Sequence, residues 1–334
     1  MNPLMTTAGF DTLTGRLIRR MRRLRSETCV TILTYHSVDH TETIFNSNVR
    51  HDPAEFERQM DYLAENYSPL SLREWIERAH RNDPPHRGVV VTLDDGYADS
   101  LRQALPIAFR RRIPVTIFPV TAVIGNRDLL WQHKLAWLVA HHHEARVLDA
   151  LISAGYPPVP ENQNVEAYVR AQFRADTPEI LESLLKKLGQ SGASIAAAER
   201  LYLEPEEIAQ ADRDLVEFGN HTHTHPFLSA LSVDEQREEI ILARDALSAL
   251  TGYAPIALAY PFGLKRHYNA ASSQIARETG HRVAMDMRRR INRPDGDPFE
   301  LSRKPATTGP HDHFERILED WPDNAEPPPM EGRA

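Results

Sequence analysis

The sequence predicts an α/β protein whose parallel strands close into a barrel. Apolar runs rich in β-branched residues recur along the chain, and segments with helical spacing of apolar side chains separate them. This alternation is typical of a parallel sheet covered by helices, and seven candidate strands favour closure into a barrel. A length of 334 residues fits the usual size of two domains, but α/β barrels of this size also fold as one unit.

The strand and helix predictions follow from these patterns. We predict strands at Val30–Tyr35, Val89–Leu93, Val115–Val120, Leu215–Gly219, Ile256–Tyr260, Arg282–Asp286 and Phe299–Arg303. We predict helices at Pro53–Asn66, Leu72–Ala79, Asp99–Arg111, Val233–Leu250 and Asn269–Thr279. Ser232 and Glu235 have the spacing of a capping box, and Gly280 is placed to end the last of these helices.

One stretch and both termini depart from the alternation. Residues 126–211 contain consecutive helical patterns without a strand, at His133–Leu151, Val165–Phe173, Pro178–Leu188 and Pro205–Ala211, so we expect an all-helical insertion there. We expect the barrel to occupy residues 29–318, after a basic amphipathic segment at 1–28. Residues 319–334 have the composition of a disordered acidic tail.

Composition excludes several classes of protein. The net charge of -8 argues against a general nucleic-acid binder, which needs a basic surface. A single cysteine, Cys29, excludes an internal disulfide framework and a cysteine-rich zinc site. No stretch approaches the roughly 20 apolar residues of a membrane span, and residues 1–28 lack a signal peptide, so we expect a cytoplasmic protein.

The basic segment leaves a choice open. Six arginines surround apolar residues at helical spacing between Leu13 and Arg25. Such a helix either makes peripheral contact with an anionic membrane or packs on the domain with its arginines in water.

Two adjacent carboxylates follow the second candidate strand. Asp94 and Asp95 end the run that begins at Val89, and Gly96 comes next. In parallel α/β folds the carboxyl ends of the strands form the active-site rim, so charges there are well placed for chemistry. Side chains next to each other on a strand point to opposite faces, so both can serve one site only if the chain turns at this point. An ordinary acidic turn is the alternative.

A histidine cluster follows the fourth candidate strand. His221 and His225 are four residues apart, and on a helical turn they would lie on one face and could share a metal. His223 would then face away. Two histidines and one aspartate give three protein ligands and leave a position for water, as in catalytic metal sites. The second aspartate is then free to act as a base.

These segments resemble the motifs of the polysaccharide deacetylase family, also called the NodB-homology family or carbohydrate esterase family 4. The resembling segments are Thr92-Leu93-Asp94-Asp95-Gly96, His221-Thr222-His223-Thr224-His225 and Ala259-Tyr260-Pro261-Phe262-Gly263. The resemblance runs from about Val30 to Pro305, apart from the helical insertion. It implies a distorted (β/α)7 barrel of the NodB-homology type and metal-dependent removal of N-acetyl groups from an amino-sugar-containing saccharide.

The resemblance also implies roles for individual residues. Asp94 would be the general base, and Asp95, His221 and His225 would bind a divalent metal, most often Zn2+ and in some members Co2+ or another ion. The backbone N–H of Phe262 would stabilise the oxyanion.

Two departures from the family pattern concern the base and the acid. The third motif normally starts with an arginine that orients the base, and this chain has Ala259 there; Arg303 or Lys304 could supply the charge. The usual C-terminal histidine motif is not evident. Instead, His36 follows the first strand, as in the branch of the family that acts on poly-N-acetylglucosamine, and we expect it to be the general acid.

The sequence indicates four substrate-binding residues and leaves two alternative functions open. We expect Tyr260, Pro261, Trp131 and Arg303 to contact the substrate, since aromatic rings stack well on sugars. An O-acetyl esterase using the same site and a non-catalytic carbohydrate-binding relative are the alternative functions; the absence of an arginine at Ala259 keeps the second of these open.

Overall fold

The computed structural model describes residues 29–160, 163–288, 290, 292–309 and 311–319. The basic segment at 1–28 lies outside these ranges, as does the acidic tail beyond residue 319. The peripheral membrane contact expected for residues 13–25 therefore stays a prediction.

Seven parallel strands form the wall of a barrel. They are β1 (Val30–Tyr35), β2 (Gly88–Asp95), β3 (Val115–Pro119), β4 (Val216–Phe218), β5 (Ala257–Ala259), β6 (Val283–Asp286) and β7 (Leu301–Pro305). The strands follow one another in chain order, and β7 returns to pair with β1. Between β4 and β5 the wall is joined by a bridge in which Asn220 N–H donates to Ala257 C=O and Ala259 N–H donates to Asn220 C=O, both at 2.9 Å. This closure confirms the predicted distorted seven-stranded barrel.

Most residues of the strands are apolar, and most are buried because both faces of the sheet are covered. All eight residues of β2 are buried. Ile32 of β1 packs in a cluster to which β2, β3, β5, β6 and β7 also contribute, as expected of the barrel interior. Its neighbours Leu33 and Tyr35 pack instead with Phe56 and Met60 on a covering helix.

Helices cover the barrel and fill the insertion. In the described ranges they are α1 (Pro53–Asn66), α2 (Leu72–His80), α3 (Leu105–Arg110), α4 (Trp131–Ala140), α5 (Glu144–Ser153), α6 (Val165–Ala171), α7 (Thr177–Lys187), α8 (Gly192–Glu199), α9 (Pro205–Gln210), α10 (Val233–Thr251), α11 (Ala270–Glu278) and α12 (His311–Glu319). A π-helical turn at Ser100–Ala104 leads into α3. Short parallel pairs join Ser37–Val38 to Arg50–His51, and Ser68–Pro69 to the start of β2.

The structure contains both predicted helix-capping features, one at a helix N-terminus and one at a helix C-terminus. The side chain of Ser232 accepts from Glu235 N–H, and Glu235 in turn binds the backbone of Ser232, so α10 begins with the expected capping box. Gly280 follows α11 with a φ of 88°, the left-handed conformation that favours glycine after a helix.

Between β3 and β4 the chain forms α4 to α9, which pack around their own apolar cluster containing Trp131, Tyr168 and Leu181. The single helix predicted at His133–Leu151 is wrong. It is divided into α4 and α5 by a turn in which His142 has a φ of 60°. Among the helices in the described ranges, none is long and apolar enough to cross a membrane.

Candidate metal centre

The two adjacent carboxylates lie where β2 ends and the chain turns sharply. Asp95 has a φ of 68° and Gly96 a φ of 75°. A side chain at Gly96 would place its Cβ 2.7 Å from the Cβ of Pro119, so this turn requires glycine. The turn sends the Asp95 carboxylate towards the histidine loop, while Asp94 faces an arginine on β7.

His221 and His225 are held by a loop and not by the helical turn expected from their spacing. Thr222 and His225 have φ values of 67° and 63°, which no helix contains. The Asn220 side chain accepts from Thr222 N–H at 2.8 Å, and the Thr222 hydroxyl accepts from His225 N–H at 3.1 Å. These bonds bend the loop so that both rings point to Asp95.

Three ligand atoms converge at this point. His225 Nε2 lies 3.2 Å from His221 Nε2 and 3.4 Å from Asp95 Oδ1, and His221 Nε2 lies 3.6 Å from the same oxygen. Asp95 Oδ1 is buried and has no hydrogen-bond partner among the residues that the structure describes. The Nδ1–H of His221 donates to Ala259 C=O at 2.8 Å, so a neutral His221 presents a lone pair at Nε2. An orphaned carboxylate oxygen between imidazole nitrogens fits a divalent metal.

The charges of these groups support the same interpretation. Burial, together with the neighbouring Asp94, raises the pKa of Asp95 to about 8. Burial also lowers the pKa values of His221 and His225, so both imidazoles are neutral at neutral pH. A cation bound among the three would reverse the effect on Asp95, because it stabilises the carboxylate.

Arg303 holds Asp94 in a buried, two-pronged ion pair. Its two terminal nitrogens lie 2.6 and 2.7 Å from the two carboxylate oxygens, and both side chains are almost fully buried. Burial opposes ionisation of Asp94, but the charge and hydrogen bonds of Arg303, together with the nearby imidazoles of His221 and His36, keep the pKa of Asp94 below its usual value. The charge missing at Ala259 is thus supplied from β7. The alternative, Lys304, points instead to the carbonyls of Ile317 and Leu318 on α12.

His36 lies just beyond β1 on the same rim and is partly exposed. Burial lowers the pKa of His36 to about 4, while the charge of Asp94 acts to raise it and that of Arg303 to lower it. The segment is fixed by Asp99, whose carboxylate accepts from the Ser37 hydroxyl at 2.6 Å and from Val38 N–H at 3.0 Å. His36 is therefore within electrostatic reach of the proposed base.

The third motif packs against the histidine loop. Phe262 has a φ of 59°, and its ring centroid lies 4.7 Å from that of His225. Tyr260 is fully buried, and its hydroxyl donates to Phe299 C=O and is also hydrogen-bonded to the hydroxyl of Ser273. Pro261 is buried as well.

The structure places the four expected substrate contacts among buried side chains. Tyr260 and Pro261 lie in the interior, and the guanidinium of Arg303 is taken up by Asp94. Trp131 is 2% exposed, surrounded by Phe173, Phe227 and Phe262. Its indole N–H donates to His225 C=O at 3.0 Å, so Trp131 supports the loop from behind. Aromatic character alone did not reveal that these side chains are buried.

Other contacts to the loop had no signal in the sequence. The Glu239 carboxylate on α10 accepts from the N–H groups of His223 and Thr224, both at 2.8 Å, and from the Thr224 hydroxyl at 2.6 Å. The His223 ring is hydrogen-bonded to Thr121 Oγ1 at 2.9 Å. Gln132 on α4 contacts the ring of His225.

Fold and site together define a β/α barrel with an Asp-His-His cluster at the carboxyl ends of its strands. Known proteins agree with this class. The family described as "Polysaccharide deacetylase" matches residues 81–284, which is more than half of the chain. The chain therefore belongs to the polysaccharide deacetylase family.

Solved structures that share the fold include two deacetylase-family proteins. The Streptococcus pyogenes deacetylase PplD aligns with a TM-score of 0.56 and 19% identity, covering 83% of this chain and 92% of its own. IcaB from Ammonifex degensii aligns with a TM-score of 0.57 and 18% identity, covering 87% and 96%.

Sequence relatives match over shorter stretches. The peptidoglycan-N-acetylmuramic acid deacetylase PdaC of Bacillus subtilis is 33% identical over 89 residues, which is 27% of this chain and 19% of PdaC. The chain spans less than half the length of the curated relatives that it matches.

Proposed function

We propose that this protein is a metal-dependent hydrolase that removes N-acetyl groups from an amino-sugar-containing saccharide and releases acetate. The observation that carries the proposal is the convergence of Asp95, His221 and His225 beside the Arg303-bound Asp94. Membership of the polysaccharide deacetylase family supports the reaction class. The name of PdaC, a deacetylase of an N-acetylated amino sugar, supports the substrate class.

The metal would be held by Asp95 Oδ1 and by the Nε2 atoms of His221 and His225. When bound, a divalent ion of this kind polarises the acetyl carbonyl and lowers the pKa of a coordinated water. Zn2+ suits one carboxylate and two imidazoles, and Co2+ accepts the same donors.

Asp94 would act as the general base. Its pairing with Arg303 keeps the carboxylate ionised and fixes its plane, which a base needs in order to accept a proton from one direction. Its Oδ2 lies 3.7 Å from His221 Nε2, so it borders the proposed metal position without being needed as a ligand.

His36 would supply a proton to the departing amine. An amine leaves poorly as an anion, so amide cleavage depends on such an acid. Negative charge that develops on the substrate, as Asp94 takes up the proton of the water, would raise the pKa of the imidazole towards the working range. The N–H of Phe262 would donate to the substrate oxygen at this stage.

The experiment is acetate release from N-acetylglucosamine oligomers by the purified protein, with an O-acetylated saccharide assayed in parallel and Asp94→Asn as the inactive control. We expect release from the N-acetyl substrate by the wild type and not by Asp94→Asn. Release from the ester alone would favour an O-acetyl esterase. Absence of release from both substrates by a metal-loaded protein would contradict the proposal.

A further inference from the structure

Gln132, the second residue of α4, connects the helical insertion to the proposed metal site. Its side-chain amide nitrogen lies 3.2 Å from His225 Nδ1. The preceding residue, Trp131, binds the carbonyl of the same histidine. The insertion thus touches both the ring and the backbone of one proposed ligand.

The hydrogen bonds around His225 form a chain. An amide N–H of Gln132 donates to His225 Nδ1, His225 Nε2–H then donates to His221 Nε2, and His221 Nδ1–H donates to Ala259 C=O. In this state His225 carries its proton on Nε2, which is the nitrogen that faces Asp95. A nitrogen that carries a proton cannot bind a metal.

This chain of hydrogen bonds leaves one side-chain atom of Gln132 without a partner among the described residues. Gln132 Oε1 is buried, and no described residue gives it a hydrogen bond. The oxygen and nitrogen ends of an amide have nearly the same size, so half a turn about the last side-chain bond exchanges them without a change in packing.

We infer that Gln132 is a positioning residue for the metal ligand His225, and that its amide turns when metal binds so that Oε1 accepts a hydrogen bond from Nδ1–H. The turn places Oε1 on Nδ1–H and fixes His225 in the form whose Nε2 lone pair faces Asp95. This inference rests on the proposed function, because it requires a metal at Asp95, His221 and His225. It also gives the insertion a role, since α4 supplies an acceptor that the barrel itself does not provide to this ring.

The test is the dissociation constant for Zn2+, measured by competition with a chromophoric chelator on chelator-stripped protein. Gln132→Met keeps the length of the side chain but has no acceptor, and we expect it to weaken zinc binding about 10- to 100-fold. Gln132→Glu can only accept, and we expect zinc binding as tight as in the wild type or tighter. Thr121→Val is the matched control, because Thr121 bonds the ring of His223, which is not a proposed ligand. We expect no change in that variant.

The outcomes separate this inference from the proposed function. Wild-type zinc affinity in Gln132→Met, or equal weakening in Gln132→Met and Gln132→Glu, would overturn the role of Gln132 while leaving the metal site in place. A wild type that binds no zinc would overturn both.

A second measurement, made on the wild type, tests the inference even if the Gln132→Met variant does not fold. In zinc-loaded wild type, 15N-labelled at histidine, we expect His225 to show a hydrogen-bonded Nδ1–H protected from exchange with water. A proton on Nε2 of His225 in that sample would contradict the inference.

Discussion

At the residue scale, the ion pair between Arg303 and Asp94 decides whether the proposed base is ionised and oriented. Replacing Arg303 with Met would leave a buried carboxylate without its counter-charge. Because such a loss costs about 3–5 kcal/mol, we expect a fall of that size in the free energy of unfolding, measured in urea, together with loss of acetate release. Arg303→Lys restores the charge but not the two-pronged geometry, so we expect intermediate stability.

The control for this prediction is the neighbouring Lys304→Met, which alters contacts to α12 and leaves Asp94 unchanged. Acetate release from Arg303→Met at the wild-type rate would show that the pair is structural only.

A second prediction at the residue scale concerns His36, the proposed general acid. We expect His36→Ala to lower the turnover number about 100- to 10,000-fold, since a positioned acid contributes roughly that factor. Zinc content should stay at the wild-type level, because His36 is not among the three converging ligands. His40→Ala, at an exposed position four residues along, is the matched control and should keep full activity. Normal turnover in His36→Ala would rule out this assignment.

The geometry of these residues could be predicted only in part. The positions of Asp94, Asp95 and the histidines after apolar strands indicated one site, because carboxyl ends of parallel strands meet at one edge. The partner of Asp94 could be narrowed only to Arg303 or Lys304. The choice depends on β7 and β2 both flanking β1, a pairing of residues 209 positions apart that no local pattern records.

At the scale of elements, α10 braces the histidine loop through Glu239. Its carboxylate accepts three hydrogen bonds from His223 and Thr224, which lie between the two proposed ligands. We expect Glu239→Gln to lower the free energy of unfolding by about 1–3 kcal/mol, because bonds to a charged acceptor are replaced by weaker ones. The adjacent exposed Glu238→Gln should change stability by less than about 0.5 kcal/mol. Equal changes in the free energy of unfolding for the two substitutions would show that the hydrogen bonds of Glu239 do not stabilise the protein.

The same loop shows where sequence patterns fail. Spacing of four residues suggested a helical turn, yet Asn220, Thr222 and Glu239 stabilise a loop with two left-handed residues. Helical spacing also continued through residues 141–143, although the chain turns there at His142. In both places contacts from other elements outweigh local propensity, whereas strands buried on both faces were predicted to within a few residues of their observed ends.

At the scale of the whole molecule, buried histidines make stability depend on pH. Burial lowers the pKa values of His51 and His281 to about 4 and that of His133 to about 3. These imidazoles ionise near pH 6.5 in the unfolded chain, so below that pH the unfolded state binds more protons. Stability should therefore fall as the pH is lowered from about 7.5 to 6.

Two carboxyl groups act in the opposite direction. Burial raises the pKa of Asp95 to about 8 and that of Asp99 to about 6, so the folded state binds extra protons there. Urea unfolding is best measured in the Asp95→Asn variant, which removes the first effect. In that variant Asp99 binds at most one extra proton in the folded state, whereas the three imidazoles together bind up to three extra protons in the unfolded state. A free energy of unfolding that rises on acidification over this range would contradict the prediction.

The central claim for the molecule is that Asp95, His221 and His225 bind one catalytic metal. The most direct measurement is the metal content of purified wild type beside Asp95→Asn and His225→Gln, with acetate release from N-acetylglucosamine oligomers assayed on the same samples. We predict about one zinc or similar divalent ion per chain in the wild type, lost together with activity in both variants. A wild type that takes up no divalent ion and still releases acetate would contradict the claim.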